Sequence, residues 1–282
     1  THARFIYILP CVALLVIGLF ARAMRWRILL SGGLPFWRSF HIMNVAYLVN
    51  GVLPLRIGEV ARIFLANRVN PPVPMVKTAV TVVIERLLDL LAVVMLVAFA
   101  LMAGDIPPEL RSAGLAMGIL GLGGFLTLVF LSRQRDLAHR LINVVVSVIP
   151  PLKKIHPIEL LDHFLDGLAP LATIRTLLSA LFWTGLGWLF SVMAGYVLMY
   201  TFYNDASWSA TCLYIAAAAF AIAVPATIGS LGLYEGSILI ALNFLGYGDP
   251  ATIAIAFAAV VHGVNVFVHT VTGAIGLFHE GI

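Results

Sequence analysis

Charged residues divide this chain into long uncharged apolar stretches, and that alternation limits its fold more than any motif does. Residues 5–21 lie between Arg4 and Arg22, 112–132 between Arg111 and Arg133, 176–204 between Arg175 and Asp205, and 250–279 between Asp249 and Glu280. A bilayer core takes about 20 apolar residues per helix, and a helix satisfies its own backbone polar groups there. A fifth stretch, 77–103, has the length but carries Glu85, Arg86 and Asp89 in its first half. We read all five as membrane crossings. Composition agrees: 61% of the 282 residues are hydrophobic and 11% charged, against about 45–50% and about 25% in a soluble domain. That excludes a free cytosolic enzyme, a secreted disulfide scaffold and a disordered regulator.

The net charge of +4 sits beside apolar runs, which assigns it to lipid headgroups and topology rather than to nucleic acid. Cys11 and Cys212 each lie inside an apolar run with no CxxC, as packing residues do. The chain begins at Thr1, and we expect residues upstream. The first apolar run lacks a small-residue cleavage signal and is read as a span, not a leader.

Two further stretches are broken. Residues 39–55 are short, hold His41, Asn44 and Asn50, and end beside Pro54; an amphipathic piece over 57–67 follows with Glu59 and Arg62. Residues 208–224 run into Pro225, Gly229, Gly232 and Glu235, then a short apolar run to 245. Both breaks read P-x-x-I-G: Pro54 to Gly58 and Pro225 to Gly229. Paired interrupted segments in two halves are a mark of transporters built from repeats, although a five-residue match also arises by chance. The expectation is an all-α polytopic membrane protein with two Pro/Gly-broken re-entrant hairpins in an inverted repeat. A single transmembrane domain covers 1–282: a first half 1–131 with a hairpin at 39–69, a cytoplasmic amphipathic segment 132–175, and a second half 176–282 with a hairpin at 208–245. Arg22, Arg25, Arg27 and Arg38, and the cluster from Arg133 to Arg175, place their two loops in the cytoplasm. The N-terminus then lies outside and the C-terminus inside. Trp26, Trp37, Trp183, Trp208, Tyr200 and Tyr203 fall near span ends as interfacial aromatics.

A charge at the bilayer centre costs about 2.5–3.5 kcal/mol on insertion scales, yet Arg56, Glu59, Arg62, Glu85, Arg86 and Asp89 cluster around the first break and the next span. Three cations and three anions can neutralise one another as a purely structural network. They can equally line a polar cavity, where arginine suits phosphate and a helix restarting at Gly58 aims N–H groups at an anion. Asn50 adds a neutral partner. At the second break Gly229, Ser230 and Gly232 allow close backbone approach, and Glu235 is the ionised group. His262, Asn265, His269 and Thr272 form one helical stripe that should face the interior or the cavity. Glu159/His163 and Asp162/Asp166 are each one helical turn apart; a metal site can be imagined there, but a solvated face is the preferred reading. HExxH, GxSxG, Walker A and D-x-D motifs are absent, so we expect no cofactor, no metal and no catalytic residue.

The run from Asn50 to Arg62 matches N-x-x-x-P-x-R-x-G-E-x-x-R, and Glu85 to Asp89 matches E-R-x-x-D. In both, the chain resembles the lysylphosphatidylglycerol synthase transmembrane-region family, which includes the flippase half of the multiple peptide resistance factor and stand-alone flippase-like proteins. Arg25-Trp26-Arg27 is weaker support. In the second half, Pro225 to Glu235 resembles the family's P-x-x-P-G-G-x-G-x-x-E with Ile228 and Ser230 departing from it, and His262 stands near a usual arginine. The resemblance implies that Arg56, Glu59, Arg62, Glu85, Arg86 and Asp89 form a lipid-handling site in a multi-pass protein of a prokaryotic plasma membrane. It does not carry over aminoacyl transfer, which belongs to a separate soluble domain. The leading expectation is a flippase-type transporter of a phospholipid or lipid-linked headgroup. The alternatives are a membrane-embedded headgroup transferase or glycosyltransferase, and a non-catalytic lipid-presenting subunit. Partners would be anionic or aminoacylated phospholipids or glycolipids, with no nucleic acid, and a homo-oligomer or a synthase or transferase partner is allowed.

Overall fold

The computed structural model describes residues 3–53, 55–104, 108–148, 173–223 and 228–281, with isolated positions between 158 and 171. The described residues form helices and turns with no strand. The helices are α1 (Ile8–Leu29), α2 (Phe36–Val52), α3 (Gly58–Asn67), α4 (Met75–Ala103), α5 (Pro108–Arg133) and α6 (Arg135–Val148). After them come α7 (Ile174–Met199), α8 (Trp208–Ala223), α9 (Leu233–Phe244) and α10 (Ala251–Glu280). Prolines set several starts: Pro35, Pro74 and Pro250 occupy the N-cap positions of α2, α4 and α10, where a missing N–H and a fixed φ favour helix entry.

Among the described residues, four helical stretches are long and apolar enough to cross a membrane: Phe5–Leu29, Gly114–Leu131, Ile174–Met199 and Ala251–Glu280. At 29 residues, α4 has the length of a crossing but carries the charged group of its first half. The first crossing needs correction. It does not end at residue 21; α1 continues to Leu29 and takes Arg22, Arg25 and Arg27 with it. Nothing between Ala21 and Leu30 breaks a helix, and these arginines are helical rather than loop residues. Trp26 is likewise not interfacial: it is fully buried.

Both interrupted segments form as pairs of short helices, α2/α3 and α8/α9, each packed on the other member. Exchange α1 to α4 with α7 to α10, in order, and the packing repeats. α1 packs on α2 as α7 does on α8, and α3 on α4 as α9 does on α10. The long-range pair α2/α10 has its counterpart in α8/α4, and α1 and α7 pack on each other. At that central pair a side chain on Gly18 would sit 3.4 Å from the Phe190 Cβ, so small residues let the backbones approach. The α2/α10 seam is clasped by Thr272, whose Oγ1 donates to Asn44 Oδ1 at 3.0 Å.

The breaks differ in local conformation. Leu55 and Arg56 are left-handed (φ 63° and 55°) before α3 starts at Gly58. In the second break the left-handed pair is Gly229 and Ser230 (φ 59° and 58°), and α9 starts only at Leu233. The glycines that end the two P-x-x-I-G strings therefore differ: Gly58 is helical and Gly229 left-handed. The breaks nevertheless meet: a side chain on Gly229 would lie 3.2 Å from the Gly51 carbonyl oxygen.

Candidate functional site

Two turns of α4 and one of α3 bring the first-half charges together, and α1 adds Arg25, which the positive-inside pattern assigns to a loop. Arg25, 2% exposed, donates from Nη1 to Asp89 Oδ1 at 2.7 Å and from Nη2 to Asp89 Oδ2 at 3.4 Å. Its Nε donates to Glu85 Oε1 at 3.4 Å, and Nη1 also reaches Thr184 Oγ1 on α7 at 3.3 Å. Glu85, 1% exposed, has Arg62 Nη1 2.6 Å from Oε2. The Arg62 guanidinium stacks 3.8 Å over the Trp26 ring, and Trp26 Nε1 donates to Thr81 Oγ1 at 3.1 Å. A weakly hydrated planar cation on an indole face is a favourable way to hold a buried arginine.

Toward the open side the network continues more loosely. Glu59 lies 3.5 Å from Arg56, 3.8 Å from Arg86 and 3.9 Å from Arg62. Arg86 Nη2 lies 3.4 Å from Asp89 Oδ2, and Trp188 Nε1 donates to Asp89 Oδ1 at 3.2 Å. The cluster therefore holds four guanidinium groups, Arg25, Arg56, Arg62 and Arg86, against three carboxylates. The three-against-three balance expected from sequence gives way to an excess cation once Arg25 is included.

This network forms one wall of a cavity of about 450 Å³. Arg56, Arg86 and Asp89 face it, together with Arg22, Asn50 and Trp188. Arg22 donates from Nη2 to Ser191 Oγ at 3.1 Å and lies 5.7 Å from the Trp188 ring centroid. Its stem passes 3.4 Å from where a side chain on Gly187 would begin. Arg62 and Glu85 stand behind the wall and hold it in place, and Glu59 also lies outside the lining. Asn50 Oδ1 accepts from the Gly58 N–H at 2.8 Å. Asn50 thus orders the first break, and the first N–H of α3 is used internally rather than offered to an anion. A side chain on Gly58 would collide with the Ala46 carbonyl oxygen, so only glycine fits this crossing of α2 and α3.

The opposite wall comes from the second half. Gly229, Ser230, His262, Asn265 and His269 all line the cavity. His262 Nδ1 and Glu235 Oε1 share a 2.6 Å hydrogen bond, and Glu235 Oε2 accepts from the Gly232 N–H at 2.8 Å. Glu235 and Gly232 therefore lie outside the lining and tie the start of α9 to α10. Tyr234 stacks on His262 at 4.5 Å, and His269 lies against Tyr47 with centroids 5.1 Å apart. Thr272, the fourth member of the stripe, is buried in the α2/α10 seam. The remaining walls are apolar, with Leu15, Val93, Ala218 and Ala219 among them.

Sequence reasoning missed Arg22, Arg25, Trp188 and Ser191 as site residues. Arg22 and Arg25 are three apart on one helix face, and the lack of a helix breaker before Ser31 was the available signal. Of the aligned Glu159/His163 and Asp162/Asp166 pairs only Asp162 is described, and its Oδ1 hydrogen-bonds His139 Nε2 on α6 at 2.7 Å. Glu159, His163 and Asp166 lie outside the described residues. Cys11 and Cys212 are buried free thiols.

No curated protein and no solved structure matches the chain. Residues 1–273 match the family described as the lysylphosphatidylglycerol synthase TM region. With helices long and apolar enough to cross a membrane several times, a charged cavity among them, and this match over nearly its whole length, the chain is a multi-pass membrane protein that belongs to the lysylphosphatidylglycerol synthase transmembrane-region family.

Proposed function

We propose that the protein is a flippase-type transporter that takes a phospholipid or lipid-linked headgroup into the cavity while the acyl tails stay in the bilayer. The observation that carries this reading is the cavity itself: cationic on one side, polar on the other, apolar elsewhere, and set where two interrupted helices meet. Charged groups inside a membrane bundle mark substrate pathways, and irregular backbone at that depth is tolerated where it lines a cavity. Arg56 and Arg86 would hold the headgroup phosphate. Arg25, Arg62, Glu59, Glu85 and Asp89 would fix those two arginines in place.

We read the exchange of packing partners between α1–α4 and α7–α10 as an inverted repeat, and α2/α3 and α8/α9 as re-entrant hairpins. Rocking one half against the other would expose the cavity alternately to the two faces of a cell membrane. Strained left-handed residues at both breaks suit such a motion, because strain persists where the surroundings over-determine the backbone.

Reconstituted vesicles test the assignment. Wild-type protein should move fluorescent phospholipid between leaflets, and Arg86→Gln should slow this at least tenfold with the lipid unchanged in mass. A mass change in the lipid would assign the cavity to a headgroup transferase. Equal rates in wild type and Arg86→Gln would remove Arg86 from the pathway.

A further inference from the structure

We propose that the cavity selects a lipid whose headgroup is a net anion, a phosphate diester with no compensating ammonium group, and that Arg22 sets this preference. The proposal rests on reading the cavity as a headgroup site, and it narrows the substrate class of that site.

Among the described residues, the ionised side chains on the cavity wall are Arg22, Arg56 and Arg86 against Asp89 alone. A cationic headgroup group needs a carboxylate with capacity to spare, and none of the described ones faces this space with any. Both Asp89 oxygens are engaged: Oδ1 by Arg25 and Trp188, Oδ2 by Arg25 and Arg86. Glu85 is sealed between Arg25 and Arg62. Glu59 has three arginines within 4.0 Å. Glu235 is held by His262 and the Gly232 N–H. An ammonium drawn into the cavity would shed water beside three guanidinium groups, and juxtaposed like charges oppose binding. His262 and His269 change nothing in this direction, since protonation adds the same sign.

The arginines, in contrast, have capacity left. Arg22 touches only a hydroxyl and an indole face, and among the described residues no carboxylate lies within ion-pairing distance of it. Arg86 also lines the cavity and is 37% exposed, so a phosphate there would accept from Arg22 and from the exposed end of Arg86, in the planar geometry guanidinium groups favour. Arg22 forms no ion pair with Glu59, Glu85 or Asp89 among the described residues; it joins α1 to α7 through Ser191 and Trp188 and adds its charge to the cavity. A cavity of about 450 Å³ suits a headgroup rather than a whole lipid.

Binding to the purified protein separates this from transport. Phosphatidylglycerol, lysylphosphatidylglycerol and water-soluble glycerol phosphate would be compared on wild type, Arg22→Gln and Arg22→Glu. We expect phosphatidylglycerol to bind at least tenfold more tightly than lysylphosphatidylglycerol. Arg22→Gln should shrink that ratio and Arg22→Glu should abolish it, with melting temperatures within a few degrees of wild type. Equal or tighter binding of lysylphosphatidylglycerol, or an unchanged ratio in both variants, would overturn the proposal. Glycerol phosphate binding as tightly as the lipid would overturn the lipid assignment in favour of a soluble anion. Retained anion preference without any translocation would defeat the transporter reading and leave this one standing; preferential movement of the lysyl lipid would do the reverse.

Discussion

Arg25 on α1 donates through both terminal nitrogens to the two oxygens of Asp89 on α4, at 2.7 and 3.4 Å. This fork-to-fork pair joins the first crossing to the helix that carries Glu85 and Arg86. It sets the floor of the charged wall, because Asp89 in turn holds Arg86 and Trp188. The cavity chemistry thus depends on a residue that touches no cavity space itself.

Removing Arg25 leaves Asp89 and Glu85 short of their strongest partner in a buried setting. Breaking a buried pair in this way costs about 3–5 kcal/mol. Arg25→Met should lower thermal stability in detergent by that amount. Arg86→Gln should cost less than about 1 kcal/mol, because Arg86 is 37% exposed and its contacts are loose. Comparable losses for the two variants would contradict this division between holding and working arginines.

At the first break, Gly58→Val should destabilise by about 1–3 kcal/mol through overpacking against the Ala46 carbonyl. Asn50→Ala, which strips the Gly58 N–H of its acceptor, should cost about 1 kcal/mol. Denaturation midpoints measure both. A tolerated valine would mean that α2 and α3 cross more loosely.

Across the cavity, His262→Leu leaves Glu235 Oε1 without its 2.6 Å partner, at a cost of about 1–3 kcal/mol. His262→Arg should restore most of this, since a guanidinium can reach the same carboxylate. If His262→Leu melts with the wild type, Glu235 finds its stability from Gly232 alone.

The α2/α10 seam gives a cycle. Thr272→Val alone leaves buried Asn44 Oδ1 unsatisfied and should cost about 1–3 kcal/mol. Coupling it with Asn44→Leu should be closer to neutral, because both partners are then apolar. Additive losses would show that the hydroxyl–amide bond is not the origin of the cost.

Much of this arrangement was readable in the sequence, for definite reasons. The apolar runs are uninterrupted by charge, so three of the crossings lie close to their expected bounds while the first runs on to Leu29, and the Pro and Gly residues around 54–58 and 225–232 mark the two interrupted segments. Glu59, Glu85, Arg86 and Asp89 stood out because charge is costly in hydrocarbon. Arg25 escaped because an arginine at the end of an apolar run looks like a positive-inside flank; the absence of a helix breaker before Ser31 hints that the helix continues, and the pairing with Asp89 shows that it carries Arg25 inward. Trp26 was misjudged for the same reason, as a buried tryptophan under an arginine and an interfacial one share a sequence signature. The roles of Asn50 and Glu235 were hidden because capping depends on backbone conformation at the breaks, which the P-x-x-I-G likeness did not predict.

The central claim is that lipid headgroups pass through the charged cavity. Asn265→Cys, in a Cys11→Ala/Cys212→Ala background, puts one thiol on the cavity wall. Leaflet-to-leaflet movement of a fluorescent phospholipid would be measured before and after modification with a bulky maleimide. Phe278→Cys, on the 84% exposed outer surface of α10, serves as the control. The account predicts at least a tenfold loss of movement on labelling Asn265→Cys and none on labelling Phe278→Cys. Undiminished movement with the cavity thiol fully labelled would contradict it.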